Sequence, residues 1–410
     1  MIEISHIIPH IFIFLALYFQ IFLLVTFFEN KEKLKKETFI GLADYPSVAI
    51  IVPCWNEGKT VAGTMRSLLE LEYPKEKLSI IAVDDGSTDE TFEVMRTFAH
   101  HPHVTIFKKT NGGKHTAVNL GIEHTNAEII GCLDADSFVA PDALLEIVKL
   151  FTDKTIMAVT PAVKVYKPQT VLELLQRAEY NMGIFLRKMF GIMDAIQVTP
   201  GPFSFFRKKV FDELGEFREA HNTEDMEFAL RMQSKHYKIG NAHTAHVYTV
   251  APNTFRGLHK QRVRWVYGFL KNVSDYRFML LNKDYGHLGA LTLPFAIISI
   301  FSAIYMFLFV VVRVASMISE QLAKINAVGF HIGNIEFNWF YANTKSLVIL
   351  SVIGLGITFF ILLQGKKLSE GTGKFSRDIF YFLLLYGFIA PIWLSRAVYN
   401  VITSKKSSWR

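Results

Sequence analysis

Four long apolar runs, one near the start of the chain and three near its end, constrain the fold more than any other feature. They cover residues 7 to 28, 288 to 315, 345 to 363 and 379 to 402 of a chain of 410 residues. A helix needs about 20 apolar residues to cross the ~30 Å of hydrocarbon in a bilayer. Runs of this length at both ends do not suit the core of a soluble protein. The sequence therefore predicts four membrane-spanning helices around a polar segment.

Lysines after the first run predict its orientation. Lys31, Lys33, Lys35 and Lys36 follow it, and the positive-inside rule places such a cluster in the cytoplasm. No basic segment precedes the run and no small-residue cleavage site follows it, so we expect an anchor and not a cleaved signal peptide. The expected location is the cell (plasma) membrane, multi-pass, with the polar segment on the cytoplasmic side.

The last run leaves two interpretations open. Pro391 and Arg396 interrupt it, and an ordinary span would place Lys405, Lys406 and Arg410 outside, against the same rule. A broken segment that lines a polar path is one interpretation. A plain helix whose end charges snorkel to the interface is the other.

The charge balance and the cysteines set further bounds. The net charge is +7 and the pI is about 9.1. Attraction to anionic membrane lipids and to a nucleotide diphosphate explains this balance as well as nucleic acid does, and no nucleic-acid motif is present, so we expect no nucleic-acid partner. The two cysteines, Cys54 and Cys132, each stand beside a strand motif, and we expect buried, reduced fillers and not a disulfide pair.

The polar segment begins with alternating strand and helix patterns. Short apolar runs of this kind are typical of buried parallel strands. Their alternation with helical patterns predicts an α/β fold with a mostly parallel, Rossmann-like, doubly wound sheet. Strands are predicted near 48–53, 78–83, 104–107 and 128–133, and helices near 60–72, 91–99 and 115–124.

Two pairs of carboxylates follow predicted strands, where open α/β sheets bind ligands. Asp84 and Asp85 suit hydrogen bonds to a nucleoside base or ribose, although capping of the following helix is an alternative. Asp134 and Asp136 alternate along an extended chain, so their side chains point the same way. Such a pair suits a magnesium or manganese ion that is also bridged to phosphate oxygens.

Charged residues at predicted helix starts are the next candidates. Lys114 follows Gly112-Gly113 at a helix start, which is typical of an anion site, although a solvated loop lysine fits as well. Asp225 precedes a helix predicted at 226–233, where a carboxylate is suited to capping the helix and stays available for a second role. Residues 171–193 and 266–282 have amphipathic helical patterns, which suit either the sheet surface or the membrane interface.

These motifs, with Gln261-Arg262-Val263-Arg264-Trp265, resemble in the same order the membrane-bound inverting glycosyltransferases of family 2, which include cellulose, chitin and hyaluronan synthases. The resemblance covers roughly residues 45 to 285 and, more loosely, the flanking runs. It implies an N-terminal transmembrane helix at 1–30 and a cytoplasmic GT-A-like catalytic domain at 45–245. It also implies a motif and interface-helix segment at 246–285 and C-terminal transmembrane helices at 286–403.

The resemblance also implies site residues and ligands. The donor is a UDP-sugar, the cofactor is Mg²⁺ or Mn²⁺, and the acceptor is a polysaccharide or a lipid. The implied nucleotide-binding residues are Pro53, Asn56, Glu57, Asp84, Asp85, Lys114, Asp134 and Arg264. The implied metal ligands are Asp134 and Asp136, and the implied catalytic residues are Asp225 and Glu224. The implied acceptor contacts are Trp265, Gln261, Gly201, Pro202 and Ser204, although an interface anchor for the tryptophan and a plain turn for the Gly-Pro segment are alternatives.

The activity that this resemblance favours is transfer of a sugar with inversion, repeated to build a polysaccharide that is secreted through the membrane region. A single transfer onto a lipid acceptor is the near alternative. A membrane protein that senses nucleotide sugars without catalysis is the remote one, because all proposed catalytic positions are occupied.

Overall fold

A single eight-stranded sheet forms the centre of the molecule. The computed structural model describes residues 4–35, 44–329 and 345–404. The strands are β1 (Val48–Cys54), β2 (Leu78–Asp84), β3 (Val104–Lys108), β4 (Ile129–Cys132), β5 (Ser137–Val139), β6 (Ile156–Val165), β7 (Ser204–Arg207) and β8 (Lys238–Thr249). Their spatial order is β3-β2-β1-β4-β7-β6-β8-β5.

The first half of the sheet is parallel and is covered on both faces. Strands β3, β2, β1 and β4 pair in parallel, so their carboxyl ends meet at one edge. Helices α2 (Val61–Leu69), α3 (Thr91–Arg96) and α5 (Ala143–Leu150) pack into one core. Helices α4 (Lys114–Glu123), α7 (Lys208–Leu214) and α8 (Glu224–Ser234) pack into the other. The predicted α/β, doubly wound sheet is confirmed.

The second half of the sheet mixes directions. Strand β7 lies between β4 and β6 and is antiparallel to both, whereas β6 and β8 run in parallel. The pairing of β4 with β7 requires a glycine at position 131, because a Cβ on Gly131 would overlap the ring of its partner Phe205. Our sequence interpretation placed a loop through Ser204. The structure instead begins a buried four-residue strand there, too short to show a period in sequence.

Two long helices connect the sheet to the apolar helices. Helix α6 (Val171–Ile192) confirms the amphipathic pattern, and α9 (Phe255–Asp275) begins 11 residues before the predicted 266, so the Gln-Arg-Val-Arg-Trp motif lies inside it. The difference arises because the Thr254 side chain, which accepts from Gly257 N, starts the helix early. The Arg177 guanidinium of α6 makes two hydrogen bonds, 2.7 and 2.8 Å, to the Glu370 carboxylate.

The four apolar runs form long helices. They are α1 (Ile4–Lys35), α10 (Leu293–Val328), α11 (Ser346–Glu370) and α12 (Arg377–Ile402). All four are long and apolar enough to cross a membrane, and at most a third of the side chains in each apolar stretch are buried inside the protein. Helix α12 continues through Pro391, as the plain-helix interpretation predicted. Lys36, Lys405, Lys406 and Arg410, on which part of the orientation was predicted, lie outside the described residues.

Candidate active site

A cleft of about 710 Å³ opens at the carboxyl edge of β1, β2 and β4. Eight of the residues predicted from sequence line it: Pro53, Glu57, Asp85, Lys114, Asp134, Asp136, Glu224 and Arg264. The other predicted residues are not part of this lining: Asn56, Asp84, Asp225, Gly201, Pro202, Ser204, Gln261 and Trp265. Strand ends and two helix starts thus bring most of the predicted donor-side residues together.

The carboxylate of Asp85 organises one wall of the cleft. It accepts hydrogen bonds from Lys109 Nζ at 2.7 Å, from Gly112 N at 3.0 Å and from Gly113 N at 2.9 Å. Three donors fix the loop that leads into α4, and Lys114 is the first residue of that helix. Lys109 was not predicted, because a lysine after a strand carries no signal of its own.

The neighbouring Asp84 is fully buried. Its Oδ1 accepts from Ser87 N at 3.1 Å, and its Oδ2 has no hydrogen-bond partner among the residues described. Asn56 braces the same loop from β1, because its Oδ1 accepts from Thr88 N at 2.9 Å. Both residues therefore shape the wall around Asp85 from behind the cleft surface.

Lys114 lies between two carboxylates of the cleft. Its Nζ is 2.6 Å from Asp134 Oδ1 and 3.6 Å from Glu224 Oε1. Burial opposes the charge, but Asp134 and Glu224 outweigh it and raise the pKa of the Lys114 ammonium well above its usual value. Gly201 lies against this ion pair, since a Cβ there would be 3.1 Å from both Asp134 oxygens and would overlap Lys114 Nζ.

Asp136 lies in a concentration of negative charge. Burial, together with the charges of Asp134 and Glu57, raises the pKa of its carboxyl to about 7. A bound cation would relieve that repulsion. No cluster of three or more His, Cys, Asp or Glu side chains suited to a metal occurs in the described ranges. The repulsion between these carboxylates suits Asp134 and Asp136 to a divalent ion of the kind held by one or two carboxylates and substrate phosphates.

Asp225 was predicted to precede the helix as a possible cap, but it lies in the first turn of α8, two residues after the N-cap residue Thr223. Its Oδ1 accepts from Met226 N at 2.9 Å. Burial and the adjacent Glu224 raise the pKa of the Asp225 carboxyl to about 6, although Lys114 and Arg264 oppose the shift. A carboxyl that titrates near neutral pH is suited to proton abstraction.

The two arginines of the α9 motif point to different neighbours. Arg264 Nη1 donates to Asn222 O at 3.1 Å beside the cleft. Arg262 Nη2 lies 2.7 Å from Glu179 Oε2, and Tyr386 of α12 donates to the other Glu179 oxygen at 3.2 Å. Sequence reasoning gave Arg262 no role, and Glu179, 83 residues away, carries no motif that could have shown this contact.

Trp265 and Gln261 lie beside Arg262. The Arg262 guanidinium carbon is 4.3 Å from the centroid of the Trp265 ring, a cation–π distance. Arg262 Nη1 also donates to Gln261 Oε1 at 3.4 Å. The predicted acceptor residues of α9 thus adjoin α6 and α12. In the predicted acceptor loop, the Ser204 hydroxyl is buried and donates to Pro200 O at 2.6 Å, while Pro202 is half-buried.

A family model for glycosyl transferase family 2 matches residues 49–215, which include the donor wall and the Asp134/Asp136 pair. The chain carries a family 2 glycosyl transferase domain. The match ends before Glu224, Asp225 and the α9 motif. The roles of these residues are therefore argued from the geometry described above.

Curated relatives extend the similarity further along the chain. A poly-β-1,6-N-acetyl-D-glucosamine synthase of Staphylococcus epidermidis is 30% identical over 262 residues, which are 62% of this chain and 63% of the relative. The corresponding synthase of Staphylococcus aureus is 28% identical over 261 residues, with the same shares. The matched part therefore spans less than two thirds of the length of these relatives.

Among solved structures, a mannosyltransferase from Pyrobaculum calidifontis, in complex with GDP-Man and Mn²⁺, has a similar fold. The TM-score is 0.61 at 19% identity, over 96% of this chain and 99% of that one. This similarity shows the fold alone, and it confirms the predicted GT-A-like domain joined to helices that can span a membrane.

Proposed function

We propose that this protein transfers a sugar from a UDP-sugar to an acceptor hydroxyl, with inversion, and repeats the transfer to build a polysaccharide. The observation that carries the proposal is the arrangement of Lys114 between Asp134 and Glu224, at 2.6 and 3.6 Å, with Asp225 and Arg264 alongside. The names of the Staphylococcus relatives support N-acetylglucosamine as the first sugar to test.

The donor would lie along the cleft. Pro53, Glu57 and Asp85 line the end that would receive the nucleoside, with Asp84 and Asn56 fixing the wall behind them. Lys114 and Arg264 would bind the diphosphate, because fixed cations stabilise the charge that develops on a departing phosphate.

A divalent cation, Mg²⁺ or Mn²⁺, would be held by Asp134 and Asp136. When bound, it would neutralise diphosphate charge and make UDP a better leaving group. Mn²⁺ is present in the mannosyltransferase complex of similar fold. The raised pKa of Asp136, caused by burial and by the charges of Asp134 and Glu57, supports cation binding at this pair.

The chemical step requires a base on the acceptor side. Asp225 would take the proton of the acceptor hydroxyl, whose oxygen attacks the anomeric carbon from the face opposite the diphosphate. The bond from that carbon to the UDP oxygen breaks, so an α-linked donor gives a β-linked product. Glu224 would act by holding Lys114 in the cleft.

The acceptor would enter from the side of α6, α9 and α12. Trp265 would stack on an acceptor sugar, with Gln261, Gly201, Pro202 and Ser204 shaping the surrounding surface. Gly201 supports this placement most directly, because it lies against the Lys114–Asp134 pair.

The membrane arrangement is also part of the proposal. We place the catalytic domain, residues 45–245, and the segment 246–285 in the cytoplasm of a multi-pass cell-membrane protein. The helices at 1–30 and 286–403 would contact membrane lipids, because at most a third of the side chains in each apolar stretch are buried inside the protein.

Purified protein in nanodiscs tests the proposal. UDP-sugars and GDP-mannose would be screened for nucleotide release with magnesium or manganese, and the products sized, with Asp225→Asn as control. A ladder or a high-mass product from one UDP-sugar is expected. A single sugar added only when lipid is supplied would replace the polymer by a glycolipid. Donor binding without turnover would favour the sensing protein.

A further inference from the structure

One face of α9 follows the loop in front of the catalytic carboxylates. Arg264, Gly268, Asn272 and Asp275 are spaced by four, four and three residues, so they lie on the same side of the helix. We call residues 219–223 the catalytic loop. Each of the four α9 residues contacts one of the loop's last three residues, 221–223. This stripe continues the Arg-Trp motif for almost three further turns.

The contacts along the stripe are specific. Arg264 Nη1 donates to Asn222 O at 3.1 Å, and Asn272 Nδ2 donates to Thr223 Oγ1 at 2.9 Å. Gly268 permits this approach, because a Cβ there would overlap the Thr223 side chain. At the end of the stripe, His221 Nε2 and Asp275 Oδ2 are 2.9 Å apart.

The catalytic loop has a conformation that its own residues disfavour. Ala220, His221 and Asn222 have φ angles of 34°, 55° and 62°, in the left-handed region. Non-glycine residues adopt this region rarely, and they stay there only when surrounding structure holds them. Thr223 follows directly and is the N-cap residue of α8, whose first two residues are Glu224 and Asp225.

The stripe is strongest where it is most buried. Asn272 is fully buried and Thr223 nearly so, which makes their hydrogen bond costly to lose. The His221–Asp275 pair has exposed side chains, at 35% and 60%, and is therefore the weaker contact. Beside the loop lies a cavity of about 540 Å³, so a released loop has room to move.

We propose that Asn272 is a positioning residue that fixes Thr223, and through it Glu224 and Asp225, in the geometry needed for proton abstraction. The effect on proton abstraction rests on the proposed function. The restraint of the loop by Asn272 does not, and it can be measured without turnover. The nucleoside end of the donor would lie against the other wall of the cleft, at Pro53, Glu57 and Asp85, so donor binding should depend on the restraint less than proton abstraction does.

The test combines kinetics with hydrogen–deuterium exchange on the full-length protein in nanodiscs. Asn272→Ala and Thr223→Val should each lower kcat by about tenfold and change donor KM by a smaller factor, because each removes the same buried hydrogen bond behind the catalytic carboxylates. The double variant should be no slower than the slower single variant. Exchange should rise in peptides covering 219–226 and not in those covering 84–90. Ser274→Ala, an exposed change on the same helix, is the matched control.

Asp275→Ala supplies a milder variant in case Asn272→Ala folds poorly, with kcat expected to fall about twofold. Unchanged exchange at 219–226 in both variants would overturn the inference, as would a loss confined to donor KM. If the wild-type protein turns over no donor, the proposed function fails, and the exchange results still decide whether Asn272 restrains the loop.

Discussion

The two loops that face each other across the cleft are held in different ways. On the donor wall, the left-handed positions are Gly86, Gly113 and Asn56, and the Asp85 carboxylate accepts from backbone N–H groups 27 and 28 residues further along the chain. On the catalytic loop, the left-handed positions are Ala220, His221 and Asn222, and the restraints come from a helix about 50 residues further along the chain. The donor wall is therefore held by contacts 24 to 28 residues apart within the parallel half of the sheet, whereas the catalytic loop depends on a helix that follows the sheet.

The largest expected effect separates chemistry from binding. Asp225→Asn should lower kcat by about 10²–10⁴-fold with donor affinity retained, because only the base is lost. It should also raise the Tm at pH 7.5. The folded pKa of Asp225 lies near 6, above the usual 3.8, so ionisation at neutral pH destabilises the fold. Turnover and thermal unfolding measure the two effects, with the exposed Asp212→Asn as control. Retained turnover in Asp225→Asn would contradict the assignment.

A change on the donor wall should have the opposite kinetic signature. Asp85→Asn replaces an acceptor of three hydrogen bonds by an amide that cannot accept all of them, so the loop before Lys114 loosens. We expect donor KM to rise about 10- to 100-fold, with kcat at saturation changed little. Calorimetric UDP binding and initial rates measure this, with the exposed Asp142→Asn as control. A lower kcat with unchanged donor KM would show that the donor wall and the catalytic wall affect turnover in the same way, against this prediction.

A pair of glycine substitutions tests the close approach of α9. In Gly268→Ala, better helix propensity favours the variant by ~1 kcal/mol, but overlap with the buried Thr223 side chain costs ~1–3 kcal/mol. We therefore expect a lower Tm and a kcat about tenfold lower. Gly183→Ala in α6 meets no atom within 4 Å, so its Tm should rise at unchanged kcat. Equal behaviour of the two variants would show that the approach at Gly268 is unimportant.

The pH dependence of turnover gives a further measure of the catalytic wall. Since the Asp225 carboxyl has a pKa near 6 and must be ionised to accept a proton, kcat should rise with pH and level off above about 7. At pH 5 only about a tenth of the molecules would carry the ionised base. Rates at saturating donor between pH 4.5 and 8 measure this. A flat profile from pH 5 to 7 would point to a different base.

The donor wall was predictable because its signals are local. The apolar runs that end at Val83 and Leu133 place carboxylates at strand ends, and the Gly112-Gly113-Lys114 sequence marks a helix start. Parallel strands then bring these ends to one edge. The fold class and the cleft follow from such patterns, as do the lining residues Asp85, Lys114, Asp134 and Asp136.

The catalytic wall was predictable only in part. Asp225 and Arg264 came from a family resemblance, and nothing in the sequence links Thr223 to Asn272 or Arg262 to Glu179. Strand β7 and the start of α9 were also missed, because a four-residue strand and a Thr-initiated helix depend on their packing partners. Contacts between distant segments leave no period in the chain.

Helix α9 acts as a rigid spacer between the catalytic loop and α12. It is one unbroken rod of 21 residues, about 30 Å long, with the catalytic loop against one face and α12 against the other. This one helix therefore sets the distance between the Asp225 carboxylate, the proposed base, and α12. If the product is a polymer, the site does not follow the growing end. After each addition the sugar chain itself must advance by one unit, and α9 sets the point from which it advances.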